Sequence, residues 1–125
     1  MYTKGFQQYK EQSIDTMTQG ELLLTLYDEL YKRLTRAELA LQKKDYDTLE
    51  KETDRSSDII RYLSATLDRK YPISKNLAQL YEFFCYELVR VKVGRNQTEL
   101  ERVKGMVDEL RGAFRVAAQD ASSGK

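Results

Sequence analysis

The chain has 125 residues, a third of them charged, and its acidic and basic side chains cancel to a net charge of +1. That length supports one domain with a core of its own, and the lack of a basic excess argues against nucleic acid or anionic membrane as the main partner. There is no histidine, which removes the usual general base, the Ser–His and Cys–His nucleophile pairs and the Glu-x-x-His ligands of di-metal bundles. The sequence is therefore expected to be no enzyme and to hold no cofactor or metal. A single cysteine, Cys85, fits a reducing cytoplasm and a small packing residue. The first residues lack the apolar run of a signal peptide, and no later stretch is apolar enough to span a bilayer. A cytoplasmic protein without membrane insertion is expected.

Residues 1–17 read as an arm. Tyr2, Phe6, Tyr9, Ile14 and Met17 stand in otherwise polar sequence, and Phe6 with Tyr9 would share one side of a short helical turn. Thr18-Gln19-Gly20-Glu21 then has the form of a capping box, opening a first helix that runs to about Gln42, where Lys43 and Lys44 would face its negative end. On a helical wheel Leu23, Leu26, Tyr27, Leu30 and Leu34 form one face. Leu22 lies at one edge of it, and Leu24 and Tyr31 lie beyond the other, an apolar arc of about 200°. Further along, only the narrow seam of Ala37 and Leu41 remains.

Asp45 is placed to cap the second helix, whose seam is Leu49, Thr53, Ser56, Ile60, Leu63 and Leu67. Ser56 there signals either a close helix approach or a hydroxyl bonded to the preceding turn. This helix should stop near Asp68 to Lys70, because Tyr71 precedes the single proline Pro72 and is biased away from helical angles. Ser74 is expected to cap the third helix, which carries Leu77, Leu80, Tyr81, Phe84, Leu88 and Val91 on one face and stops at Gly94. Asn96-Gln97-Thr98-Glu99 is a second capping signature. It opens a fourth helix with the stripe Leu100, Val103, Val107, Leu110, Phe114 and Ala117. The tail 119–125 is expected to be disordered.

The chain thus reads as all-α: an antiparallel up-down four-helix bundle over 18–118, with the N-terminal arm and the tail outside it. Two helices carry more apolar surface than such a core uses. On the third, Phe83, Tyr86, Val89 and Val93 lie opposite the core face. A groove that is covered by the arm or taken by an apolar partner segment would account for this. So would a homodimer seam, and for the first helix simple burial among its neighbours.

Several fragments, in this order, resemble the FliS family of flagellar export chaperones. They are Met1-Tyr2, Tyr9-Lys10, Leu26-Tyr27-Asp28, Asp58-Ile59-Ile60, Leu67-Asp68, Ile73-Ser74 with Asn76-Leu77, Leu80-Tyr81 and Glu109-Leu110-Arg111. The sequence departs from the family pattern at Gln19-Gly20, Glu29, Tyr71-Pro72 and Phe114. The resemblance implies a four-helix bundle that binds the disordered C-terminal segment of flagellin in apolar grooves, blocks premature polymerisation and helps deliver flagellin to the flagellar export gate. It also implies that the arm occupies part of the groove when flagellin is absent. Export-gate components and flagellin-homeostasis proteins such as FliW are further candidate partners. The residues expected to meet the client are Tyr2, Phe6 and Tyr9 from the arm, Leu22, Leu24, Tyr27 and Tyr31 from the first helix, and Phe83, Tyr86, Val89 and Val93 from the third. Asp28 is expected either to hydrogen-bond the client backbone or to remain a solvated acid.

Overall fold

The computed structural model describes residues 17–123. They form four helices: α1 (Gln19–Gln42), α2 (Tyr46–Ala65), α3 (Ile73–Gly94) and α4 (Gln97–Ser123). Short connections turn each helix back on the last. Every helix packs on its chain neighbour and α1 also packs on α4, closing an antiparallel bundle around one core.

The local signals at the helix starts are mostly realised. Thr18 Oγ1 accepts from the Glu21 N–H at 3.1 Å and the Glu21 carboxylate accepts from the Thr18 N–H at 3.1 Å, so the first box is complete. Asp45 caps α2 through the Thr48 N–H at 3.2 Å. Ser56 sits in the seam with its hydroxyl donating to the Glu52 carbonyl at 2.8 Å, which satisfies it within its own helix.

Four boundaries differ from expectation. The second helix, α2, ends at Ala65, before the expected stop near Asp68 to Lys70. Pro72, not Ser74, stands at the N-cap of α3 and offers no side-chain bond; Ser74 is in the first turn and buried. Proline suits a helix entrance because its fixed φ is helical and its missing donor would be unpaired there anyway. Gly94 is the last helical residue of α3, and the left-handed position after it falls to Arg95, at φ 55°. The Arg95 guanidinium lies 3.5 Å from the centre of the Tyr46 ring, a contact that offsets the cost of the left-handed backbone. Finally, α4 continues through Ser123, into the stretch from Gln119 that was expected to be disordered. Ala117, Ala118, Gln119 and Ala121 favour helix, and no glycine or proline breaks the run before it ends.

The expected seams close into the core over most of their length. Leu30, Leu34, Ile60, Phe84, Leu88, Leu100 and Val103 are essentially inaccessible. The seam members left only partly covered are Leu23 and Leu26 early in α1, Leu67 after α2, Leu80 early in α3, and Leu110 and Phe114 late in α4, with Ala117 beyond them exposed rather than in the stripe. All of them belong to the same end of the bundle.

Away from that end, α1 and α2 bury an ion network. Arg33 donates through Nε to Glu29 at 2.8 Å and through Nη1 to Glu52 at 3.2 Å, and Arg33 and Glu52 are both buried. On α4, Gly105 and Gly112 are exposed, and a Cβ at either would meet nothing within 4 Å. Gly112→Ala is therefore expected to stabilise the fold by about 0.5–1 kcal/mol, read as a higher urea midpoint at unchanged slope. A loss of stability would mean that α4 needs that glycine.

Candidate functional site

Where the four seams run out, they leave an open cavity of about 620 Å³. Leu22, Leu23 and Leu26 of α1 form one wall. Tyr62 and Leu63 of α2 lead into the α2–α3 connection, where Leu67 and Tyr71 continue the lining to Ile73 and Leu77 of α3. Tyr81 and Phe114 also line it. Tyr81 is buried and its hydroxyl is hydrogen-bonded to that of Tyr27, which lies fully buried behind it. The Tyr27 and Phe114 ring centres are 5.3 Å apart and tilted by 37°. Burial raises the pKa of both tyrosines, and at Tyr27 the neighbouring Tyr81 adds to the rise. Both remain neutral phenols whose polar tips satisfy each other, so the lining stays apolar.

Three large apolar side chains are exposed at this cavity: Tyr62 at 47%, Tyr71 at 56% and Ile73 at 57%. Asp68, Gln19, Thr66 and Ser74 supply polar groups among them. A partly wet apolar recess of this kind favours binding of an apolar segment over chemistry on a small substrate.

The residues expected to meet a client do not come together on one surface. Leu22 lines the cavity. Tyr27 does not reach solvent: it is 0% exposed and belongs to the core, which corrects its assignment to a binding face. Tyr31 is half-buried against α4, with the Arg111 guanidinium 4.1 Å and the Lys104 ammonium 5.2 Å from its ring centre. Asp28 is an exposed acid on the surface of α1, ion-paired with Arg115 at 2.7 Å and Arg111 at 3.2 Å of α4. Leu24 is half-buried and outside the cavity lining. The wide arc of α1 thus has two explanations: Leu22 and its neighbours face the cavity, and Tyr31 is covered by α4.

On α3, Tyr86, Val89 and Val93 are 64%, 53% and 74% exposed, while Phe83 is half-buried against the core. Val89 also edges a smaller cleft between α2 and α3, where Lys92 donates to Asp54 at 2.8 Å. This outer face begins at Tyr86, thirteen positions along α3 from Ile73, or about 20 Å by helical rise. Cavity and outer face are separate surfaces. Cys85 beside them is partly buried, which raises its thiol pKa against the smaller opposing effect of Arg61; it has no nucleophile's environment. Tyr2, Phe6 and Tyr9 lie outside the described residues.

Sequence reasoning missed Tyr62, Tyr71 and Ile73. The available signal was Tyr71-Pro72-Ile73, two large apolar residues around a proline in a connection that a bundle core has no reason to bury.

Fragments that are distant in sequence close on one another here. Tyr27 meets Tyr81, and Asp28 meets Arg111, joining Leu26-Tyr27-Asp28 to Leu80-Tyr81 and to Glu109-Leu110-Arg111. The family model described as flagellar protein FliS matches residues 2–121. The chain belongs to the FliS family. It is similar to the flagellar secretion chaperone FliS of Bacillus subtilis (strain 168), with 29% identity over 111 residues, covering 89% of this chain and 84% of that protein. Membership of the FliS family makes it a flagellar secretion chaperone by kind. Among the described residues, no helix is long and apolar enough to cross a membrane.

Proposed function

We propose that this protein is a cytoplasmic, non-enzymatic chaperone of flagellin that holds the C-terminal segment of its client, prevents premature polymerisation and assists export. The observation that carries this reading is the open apolar cavity at the bundle end, ringed by Tyr62, Tyr71 and Ile73, in a chain of the FliS family. An amphipathic client segment would lay apolar side chains into this recess. A second segment would lie along Tyr86, Val89 and Val93, so the client would bend around α3. Ordering an extended client costs free energy, and two separated apolar contacts supply the area that firm binding requires. The arm residues Tyr2, Phe6 and Tyr9 would compete for the cavity when no client is present.

Calorimetric titration with a peptide covering roughly the last 50 residues of the cognate flagellin tests this, a length matched to coupled folding and binding. One-to-one binding with a large negative heat-capacity change is the expected result, and Tyr86→Asp should weaken it while leaving helicity intact. Absence of binding, together with sedimentation as a stable dimer, would assign the exposed apolar faces to a homodimer seam instead.

A further inference from the structure

The first turn of α3 borders the cavity with donors unmet. Pro72 at its N-cap offers no side-chain bond and the turn holds no acid, whereas Thr18 and Asp45 cap α1 and α2 and each of those helices has an acid in its first turn. Among the described residues the Ile73 N–H has no hydrogen-bond partner, and it stands where the helix dipole is positive. Ser74 is an independent sign of a ligand. It belongs to the cavity lining and is only 4% exposed, yet its hydroxyl bonds to no described residue. Nor is that oxygen sealed in, since Glu99 Oε2 is the fully buried side-chain atom left without a partner among the described residues. A hydroxyl withdrawn from water without a partner costs free energy, and here a partner can reach it through the cavity. The charges beside this turn are positive in excess. Asp68 is engaged by Lys70, whose backbone N–H donates to it at 3.1 Å and whose Nζ lies 3.8 Å away. Arg69 and Lys75 are exposed and have no ion-pair partner among the described residues.

We propose that the first turn of α3 is a carboxylate subsite of the cavity, where an acidic side chain of the bound client segment accepts from the Ser74 hydroxyl and the Ile73 N–H. Arg69 and Lys75 favour the same charge from the rim. The subsite rests on the proposed occupation of the cavity by the client, and it adds a requirement that apolar burial does not supply. A segment held here needs an Asp or Glu beside the apolar side chains that fill the recess. An apolar sequence without one would leave the hydroxyl and the N–H covered and unpaired, and is held less firmly for that reason.

The test is calorimetric titration of the full chain and of Ser74→Ala with the C-terminal flagellin peptide, unaltered and with each of its Asp or Glu residues changed in turn to Asn or Gln. Ser74→Ala should weaken binding of the unaltered peptide about tenfold, the loss of one hydrogen bond to a charged group. The urea midpoint of the free chain should stay where it is, because the hydroxyl has no partner there to lose. One amide-bearing peptide should bind the wild type less tightly and lose little more against Ser74→Ala, as two groups that act on each other do. Lys75→Gln should weaken the unaltered peptide too, and less so at high salt. Firm binding that Ser74→Ala leaves unchanged would overturn the subsite and keep the cavity, with water serving the hydroxyl. Coupling to Ser74 found only on amidating the end of the peptide would give the turn to the chain terminus and overturn the side-chain assignment. No binding of the unaltered peptide to the wild type would overturn the proposed function and the subsite with it.

Discussion

Arg33→Leu is expected to cost about 3–5 kcal/mol of stability, as breaking a buried ion pair from one side does. Arg33 is buried between Glu29 and Glu52, and Glu52 is itself 7% exposed. Removing the guanidinium leaves the Glu52 carboxylate in the α1–α2 interface without its cation, and hydrating it there requires a local opening. Glu29 keeps more contact with solvent and suffers less. The doubly substituted Arg33→Leu/Glu52→Leu chain should recover most of the loss, because apolar side chains of similar volume replace a buried pair at little cost. Urea unfolding of the two variants decides the matter. A single-variant loss below about 1 kcal/mol would show that water reaches Glu52 and that the network behaves as a surface pair.

Ile73→Asp should weaken binding of the flagellin peptide by about 30-fold or more, the effect of losing a contact worth roughly 2 kcal/mol, without harming the fold. Ile73 is 57% exposed, so little core packing is lost. It also opens α3, where an acidic side chain faces the positive end of the helix and stabilises it. Folding and binding are therefore pushed in opposite directions by one substitution. Leu39→Asp serves as control: Leu39 is 51% exposed on the same bundle but lies outside the cavity lining. Equal binding by Ile73→Asp and the unaltered chain would remove the cavity from the client-binding surface. Equal weakening by Leu39→Asp would point to a general effect of added charge.

The fold was legible because its signals are local. The Thr18 box, the Asp45 cap and the three- and four-residue spacing of each seam are written within single helices. What could not be read depends on how helices are offset against each other. A wheel gives the direction in which Tyr27 points but not how deeply α1 is sunk, and its hydroxyl needed Tyr81, 54 residues away, to become satisfied in the core. Tyr31 and Asp28 likewise required α4 to arrive with Arg111. The cavity is the strongest case: it exists because four seams outlast the zone in which they meet, and no single segment encodes that.

Gln19 and Gly20, the first helical residues of α1, stand at the mouth of the cavity. Residues 1–16 are covalently joined to that mouth, and a segment joined to its site over a short distance acts at an effective concentration of order millimolar. On the proposed reading in which the arm competes for the cavity, weak apolar contacts would suffice at that concentration, even though the same peptide, cut free, would scarcely bind. A client arriving in trans would then have its apparent affinity lowered by the fraction of time the tethered segment occupies the site. The position of the first turn of α1 would in this way set a threshold of client concentration below which the chaperone stays closed to weaker apolar sequences.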